Sequence, residues 1–365
     1  MELLILVIKI GFVLQLALGL ASLCTWIERK GSALIQDRVG ANRAGANFYF
    51  KSSNPLLNII LAPLFWGLRI LGKLGVINTL FCDSVKAIFK EDFVPEGTSR
   101  FMHALAPIIA ALPIFMAFAV LPLAPDFEVA GYVIRPQVVS LSHDLLFIFA
   151  MGSLAVYGVT LAGWTSNNKF SMLGGLRAAA QLISYELAMG LVFVAMIMVY
   201  GTFELYSMVM AQSEVWGVFK APLAFLILFV VGMAETKRAP FDLPEAESEL
   251  AAGYFTEYSG MKFLLFWLGE FAEIALFSIL LVLLFFGGWH LPLIDLPAGA
   301  WWAALVGHAV LLAKVVFFCV LQIVIRWTLP RFRYDQLMNL GWKILIPLSL
   351  VNLAVTALVI VWMAK

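Results

Sequence analysis

Residues 262–287 read KFLLFWLGEFAEIALFSILLVLLFFG, an apolar run that contains only three charged side chains. A helix needs about 20 apolar residues to cross the hydrocarbon core of a bilayer, so this run is long enough to span it. Over all 365 residues, 62% are hydrophobic and 13% are charged, whereas soluble domains carry about 25% charged residues. The sequence therefore predicts an all-α integral membrane protein and excludes a soluble enzyme.

Seven further apolar runs of similar length bring the predicted number of transmembrane helices to eight, within a single membrane domain over 1–365. The predicted spans are about 3–27, 102–124, 144–163, 179–200, 218–234, 262–287, 301–328 and 342–363. A ninth apolar stretch, Leu56–Phe81, is interrupted by proline and basic residues. This pattern favours an interfacial or re-entrant amphipathic helix over a ninth span.

Lysine and arginine are distributed unequally between the two sides of these spans. Nineteen of the 24 lie in or at the edges of four connections, whereas the opposite side has only Arg135, Lys220 and Lys365. Because basic residues are enriched on the cytoplasmic side of membrane proteins, the basic connections are predicted to be cytoplasmic. The predicted cytoplasmic loops are 28–101, 164–178, 235–261 and 329–341, which places both termini on the opposite side.

Several function classes lack their usual sequence signals. The net charge is +1 and there is no basic domain, which argues against a nucleic-acid binder. The cysteines Cys24, Cys82 and Cys319 are widely spaced and form no recognisable metal or disulfide pattern. We find no nucleotide-binding glycine loop and no paired histidines that would hold a haem. The sequence therefore predicts no redox centre in this chain, so another subunit would have to supply any electrons.

Ionisable side chains inside the predicted spans are candidates for function, because each costs roughly 2.5–3.5 kcal/mol at the centre of a membrane helix. They occur at residues 28–30 (Glu-Arg-Lys), at Glu186, at Glu270 and Glu273, and at Lys314. The three deep glutamates are typical of a proton relay. The alternatives are an interface anchor for Glu28 and Arg29 and an internal ion pair for Lys314.

The connection AETKRAPFDLPEAESEL, residues 234–250, carries an unusual density of acids between and after two prolines. Pro240 and Pro244 prevent a continuous helix, which favours a fixed non-helical shape over a solvated acidic loop. Glu245 and Glu249 would share a face in a helix, and Glu245, Glu247 and Glu249 would all share a face in a strand. Crowded carboxylates raise one another's pKa, so we expect some of them to bind a proton near neutral pH.

Four long stretches resemble the motifs of a known family, both in their residues and in their order along the chain. They are ERKGSALIQDRVGANRAG (28–45), GWTSNNKFSMLGGLRAAAQLISYELAMG (163–190), AETKRAPFDLPEAESELAAGYFTEYSGMKF (234–263) and RWTLPRFRYDQLMNLGWK (326–343). They resemble the H subunits of bacterial complex I, the quinone-site membrane subunits of proton-pumping NADH:quinone oxidoreductase. The resemblance implies eight spans, a chamber that admits a quinone from the bilayer, and a bacterial inner-membrane location. It also implies partner subunits that carry FMN and iron–sulfur clusters and a peripheral arm that docks on the cytoplasmic face.

The resemblance further implies three groups of site residues. The residues of the quinone chamber would be Glu28, Arg29, Lys30, Gln36, Arg38, Arg43, Asp83, Lys86 and Arg238. The residues of the proton pathway would be Glu186, Glu235, Glu245, Glu247, Glu249, Glu270 and Glu273. The residues that dock the peripheral arm would be Arg177, Arg331, Arg333 and Asp335.

Two departures from the family pattern lie near the implied quinone entrance. The chain has Gly40-Ala41-Asn42-Arg43 where the family has GPNR, and Thr79-Leu80 where the family has a Gln-Pro pair. Loss of proline makes a turn less rigid, so the entrance is expected to differ in shape.

Two other classes of membrane protein compete with this interpretation. A homologous anchor subunit of a membrane-bound hydrogenase-type complex would share the scaffold without binding quinone. A stand-alone transporter would usually show internal repeats, which we do not find. The motifs ESEL (247–250) and PRFRYD (330–335) favour the quinone enzyme.

Overall fold

The structure is a computed structural model that describes residues 2–40, 75, 83–129, 131–291, 297 and 299–363, without the side chains of residues 2, 129, 247 and 248. Within this part of the chain the α-helices are α1 (Glu2–Ile35), α2 (Asp83–Phe89), α3 (Arg100–Ala117), α4 (Asp144–Thr165), α5 (Lys169–Tyr200), α6 (Leu205–Met210), α7 (Gly217–Lys220), α8 (Pro222–Glu235), α9 (Glu247–Leu250), α10 (Gly260–Phe285), α11 (Trp301–Thr328), α12 (Tyr334–Asn339) and α13 (Ile346–Met363). A six-residue π-helix, Leu340–Leu345, joins α12 to α13.

Seven helices in the described residues are long and apolar enough to cross a membrane. The strands described are the two of one antiparallel hairpin, β1 (Phe127–Val129) and β2 (Tyr132–Ile134). The prediction of an all-α integral membrane protein is therefore confirmed.

The fifth predicted span, 218–234, does not correspond to a long helix. Its apolar residues form α8, which has 14 residues and follows the short helix α7 after a break at Ala221. At 1.5 Å per residue, α8 is about 21 Å long, whereas the hydrocarbon core is about 30 Å thick. The count of eight spans therefore remains a prediction.

Several helices extend beyond the predicted spans. Helix α1 continues to Ile35, and α5 begins at Lys169, so most of the predicted loop 164–178 is helical. The side chain of Asn168 accepts a hydrogen bond from the backbone N–H of Phe170, which caps the start of α5. The apolar run marks where a helix can meet lipid, but capping decides where the helix begins.

Helix α10 forms the centre of the bundle. In an 18-residue apolar stretch of α10, 94% of the residues are buried, against only 17% in the corresponding stretches of α1 and of Tyr334–Met363, which includes α13. Helices α1, α3, α8 and α11 all pack against α10. The stretch that predicted the membrane fold is therefore its core, and α1 and α13 present apolar side chains at the periphery.

Small residues allow α3, α4 and α5 to approach closely. A Cβ atom on Gly158 of α4 would lie 2.2 Å from the backbone nitrogen of Ala110 in α3. A Cβ atom on Gly163 would lie 3.0 Å from the Cα atom of Gly175 in α5. Such close backbone packing is typical of membrane helices, where association depends on van der Waals contact.

The connecting segment, residues 236–259, folds back against the helices instead of extending into solvent. The side-chain amide of Gln181 donates hydrogen bonds to the carbonyl oxygens of Ala234 (2.7 Å) and Phe241 (2.9 Å). Gly253 has a φ of +53°, and a Cβ atom there would lie 1.7 Å from the carbonyl oxygen of Pro244. Residues 240–244 lie outside the helices, as the two prolines predict.

Candidate functional site

Glu28, near the end of α1, is the meeting point of two arginines. Its Oε2 atom lies 3.3 Å from the guanidinium of Arg238 in the connecting segment. Its Oε1 atom accepts a hydrogen bond from Arg326 near the end of α11. Glu28 is therefore part of an internal ion network and is more than an interface anchor.

Arg238 extends this network to the central helix. Its second terminal nitrogen lies 3.5 Å from Oε2 of Glu270, and its guanidinium lies over the ring of Phe271, 4.2 Å from the centroid. The Tyr254 hydroxyl donates a 2.5 Å hydrogen bond to the other oxygen of Glu270. One arginine is thus shared between a carboxylate of α1 and a carboxylate of α10.

A second ion pair lies further along the central helix. Lys237 Nζ donates a 3.1 Å hydrogen bond to Oε2 of Glu273. Because Glu270 and Glu273 are three residues apart, they lie on the same face of α10. We call Glu28, Arg238, Glu270, Lys237 and Glu273 the ion-pair chain.

Two further glutamates lie near the ion-pair chain inside the bundle. Glu235, the last residue of α8, is buried and interacts electrostatically with Glu273 and with Glu186 of α5. The Ser153 hydroxyl of α4 donates a hydrogen bond to Glu186. The structure thus brings four of the seven predicted proton-pathway residues, Glu186, Glu235, Glu270 and Glu273, into one region.

The other three predicted proton-pathway residues do not form the expected cluster. Glu249 is half exposed and pairs with Arg177 of α5 at 2.8 Å. Glu245 is half-buried and interacts electrostatically with Glu270, Arg238 and Asp242. The side chain of Glu247 lies outside the described residues. Residues 247–250 form the short helix α9, so of the two arrangements predicted for these acids the strand does not apply there.

Burial, more than crowding, controls protonation in the connecting segment. It raises the pKa of Glu245 well above its usual value, and Glu270 adds to the effect. Burial also raises the pKa of Asp242, although Arg331 at 3.0 Å opposes this. For Arg238, burial disfavours the charged form, but Glu28 and Glu270 outweigh it and raise the pKa. The surroundings therefore favour the charged form of Arg238, and they raise the pKa of Glu245 further than that of Asp242.

The residues implied for the quinone chamber are only partly described. Arg29 pairs with Asp83 of α2 at 2.5 Å and lies 5.4 Å from the ring centroid of Trp267. Arg38 donates a 2.8 Å hydrogen bond to Gln36, and both are exposed. Lys86 is also exposed, whereas Lys30 is half-buried. Arg43 lies outside the described residues. So does the stretch 56–82, which includes Cys82, apart from Gly75.

The residues implied for docking fall into two groups. Arg177 and Arg331 pair with Glu249 and Asp242 of the connecting segment. Arg333 pairs with Asp335 at 2.6 Å, and their side chains are 76% and 55% exposed. Arg333 and Asp335 are therefore the members of this set that a partner could contact most directly.

Sequence reasoning missed several residues of the site. Arg326 and Lys237 were counted only as basic residues at span ends, although both bind buried carboxylates. Tyr254 and Ser153, which bond Glu270 and Glu186, gave no signal because single hydroxyls are common in membrane helices and loops. The available signal was charge balance, since each buried acid needs a cation or a donor.

The contacts described for Lys314 are hydrogen bonds to carbonyl oxygens, not the internal ion pair that was the alternative prediction. Its Nζ atom donates hydrogen bonds to the carbonyl oxygens of Phe286 (2.8 Å), Gly288 (2.9 Å) and His290 (2.7 Å). The ammonium group also lies 4.8 Å from the ring centroid of Trp216. These carbonyl groups follow the end of α10, so Lys314 satisfies acceptors that the helix itself cannot.

The fold and the ion-pair chain together define a multi-pass membrane protein with a buried polar site between its helices. The chain matches the family described as NADH dehydrogenase over residues 8–357, and it belongs to this family. The resemblance stated from the sequence is thereby confirmed.

Its relatives carry one consistent description, that of the H subunit of NADH-quinone oxidoreductase. The chain is 44% identical to the H 2 subunit of Syntrophobacter fumaroxidans, over 99% of this chain and 98% of that protein. It is 41% identical to the H subunit of Syntrophotalea carbinolica, over 99% and 98%. It is 42% identical to the H subunit of Flavobacterium johnsoniae, over 97% and 94%.

Proposed function

We propose that this chain is a membrane subunit of an NADH–quinone oxidoreductase that lines the quinone chamber and couples quinone reduction to proton translocation. In this proposal, partner subunits carry FMN and iron–sulfur clusters and deliver the electrons, and a peripheral arm docks near Arg333. The membrane is the bacterial inner membrane, with both termini on the periplasmic side. The names of the relatives favour this function over a hydrogenase-type anchor.

The observation that carries the coupling proposal is the sharing of Arg238 between two carboxylates. Its guanidinium lies 3.3 Å from Glu28 and 3.5 Å from Glu270. A change of charge at Glu28 alters how strongly the arginine is held there and therefore how strongly it stabilises ionised Glu270. Coulomb attraction between such buried groups is several-fold stronger than in water.

The coupling follows from two linked steps. Reduction of the quinone to quinol takes two electrons from a partner and two protons from groups near the chamber. The groups near Glu28 and Arg29 that give up those protons become more negative, which attracts Arg238 towards Glu28. Ionised Glu270 is then stabilised less by Arg238, so the acids of α10 bind a proton in response. The connecting segment is the element that holds both arginine and lysine in this arrangement.

A Glu270→Gln variant tests the proposal. The amide keeps the size of the side chain but removes the negative charge, which pairs with Arg238 and accepts a hydrogen bond from Tyr254. We expect proton translocation per NADH oxidised in membrane vesicles to fall by about tenfold or more, the scale of a lost acid–base group. Glu128→Gln, at an exposed position of β1, is the matched control and should translocate normally. Normal translocation by Glu270→Gln in an assembled complex contradicts the proposal.

A further inference from the structure

Gln15 is a polar residue on the outward side of helix α1. The opposite side of this helix faces the bundle, where Val13 and Leu20 are buried. Gln15 is exposed, and so are Gly11 and Leu18, which lie one turn before and one turn after it on the same side. The side chain of Gln15 therefore points away from the rest of the chain.

Gln15 also lies deep within the part of α1 that spans the membrane. It follows Leu3, where the apolar run begins, by 12 residues, and it precedes Glu28 by 13 residues. At 1.5 Å per residue these separations are about 18 and 20 Å, and the hydrocarbon core is about 30 Å thick. The amide is thus close to the middle of the hydrocarbon, where lipid tails offer no hydrogen-bond partner.

The amide of Gln15 has no hydrogen-bond partner among the residues that the structure describes. Amides inside the other long helices are placed differently, because Gln181, Gln322 and Asn352 are at most 6% exposed. Moving an amide from water into an apolar environment without a hydrogen bond is costly in free energy. A polar group from outside this chain would remove that cost at Gln15.

Gly11 gives a neighbouring helix room to approach. A Cβ atom on Gly11 would meet no heavy atom within 4 Å, so packing inside this chain does not require a glycine there. Glycine is also less favourable than alanine inside a helix. Between membrane helices, small residues allow close backbone contact, and glutamine side chains form hydrogen bonds across the interface. The pair Gly11 and Gln15 therefore suits contact with a helix better than contact with lipid.

We propose that the face formed by Gly11, Gln15 and Leu18 is the contact surface for a transmembrane helix of a partner subunit. That helix places a small residue against Gly11 and a hydroxyl, amide or carboxyl group within hydrogen-bond distance of Gln15. A partner subunit is favoured over a second copy of this chain because the relatives are named as one subunit of an oxidoreductase. The inference rests on the subunit role in the proposed function, but not on quinone binding or proton coupling.

The first test places a photo-reactive amino acid at Gln15 and irradiates the assembled complex in native membranes. We expect an adduct with another subunit of the complex, which mass spectrometry maps to a membrane-spanning segment of that subunit. An intact complex that gives adducts with lipid alone, or between two copies of this chain, overturns only this inference. A chain that purifies without other subunits overturns the proposed function as well.

A second test measures how much of the cross-linked subunit stays with the complex in detergent. Gln15→Met keeps the length of the side chain but removes its hydrogen bonds, and we expect retention to fall about 3- to 15-fold, the scale of one hydrogen bond between membrane helices. Gly11→Leu should lower retention further, because the new side chain clashes with nothing in this chain but fills the space of the partner helix. Leu14→Met, at an exposed position that faces another direction, is the matched control and should retain the subunit. Full retention in Gly11→Leu, or an equal loss in Leu14→Met, contradicts the inference.

Discussion

Lys237 Nζ and Glu273 Oε2 lie 3.1 Å apart, with only 5% and 6% of the two side chains exposed. The lysine belongs to the connecting segment, and the glutamate lies 13 residues into α10, about 20 Å from Gly260. The connecting segment thus delivers a cation to a carboxylate in the interior of the bundle. Neither charge would be tolerated there alone, because removing an ion from water is costly.

Removing Lys237 should therefore destabilise the protein strongly. In Lys237→Met, Glu273 either remains an uncompensated buried charge or binds a proton. We expect a loss of about 3–5 kcal/mol, the usual effect of breaking a buried pair. The melting temperature of the purified complex measures it. The double variant Lys237→Met with Glu273→Met should recover most of the stability, and a double variant as unstable as the single one would show that the pair is not the cause.

The pKa of Glu245, which burial raises well above its usual value, predicts a pH dependence of stability. The folded state holds the Glu245 proton at pH values where the unfolded chain has lost it. Stability from this group is therefore complete below the unfolded pKa and is lost as pH rises towards the folded pKa. In Glu245→Gln the loss of stability as pH rises above the unfolded pKa should be smaller, as measured by melting temperature across pH. An unchanged pH profile would contradict a protonated Glu245.

Lys314 should matter for the fold of α10 and the residues that follow it. Lys314→Met leaves the carbonyl groups of Phe286, Gly288 and His290 without this donor. A hydrogen bond to a charged group contributes about 1.5–3 kcal/mol, so we expect a loss of at least this size. The yield and melting temperature of the complex report it. Lys220→Met, which removes a single exposed bond to Ala211, should have little effect; equal losses in both variants would rule out a special role for Lys314.

Two glycines with positive φ should respond differently to alanine. At Gly253 the new Cβ atom would lie 1.7 Å from the carbonyl oxygen of Pro244. At Gly97 the nearest atom, on Asn167, is 3.5 Å away. Both substitutions add backbone strain of about 1–3 kcal/mol, but only Gly253→Ala also displaces the connecting segment. We expect protease sensitivity of that segment and loss of assembly for Gly253→Ala alone.

The sequence was sufficient to predict the membrane fold because apolar run length is a direct consequence of bilayer thickness. The central helix α10 and helix α11 fall close to the predicted spans 262–287 and 301–328. The prediction was weaker at α8, where the apolar run 218–234 is interrupted at Ala221 before Pro222. Helix ends that depend on a single cap, such as Asn168, are also invisible to hydropathy.

The candidate site was predictable in its acids but not in its pairings. Glu186, Glu270 and Glu273 stand out because each interrupts an apolar run. Which cation meets which acid depends on how the connecting segment folds back, and Arg238 and Glu28 are separated by 210 residues. Resemblance to the family placed Glu28 and Arg238 in one set, but it gave no indication that Lys237 binds Glu273.

The shortness of α8 has an electrical consequence. This helix is about 21 Å long, and the residues after it carry Lys237 to Glu273, midway along α10. In the proposed function, a proton that binds at Glu235 or Glu273 would cross part of the transmembrane potential on its way. Moving one charge through the full potential changes the energy by about 2.3 kcal/mol per 100 mV. The proposal therefore predicts that protonation of these two glutamates depends on voltage.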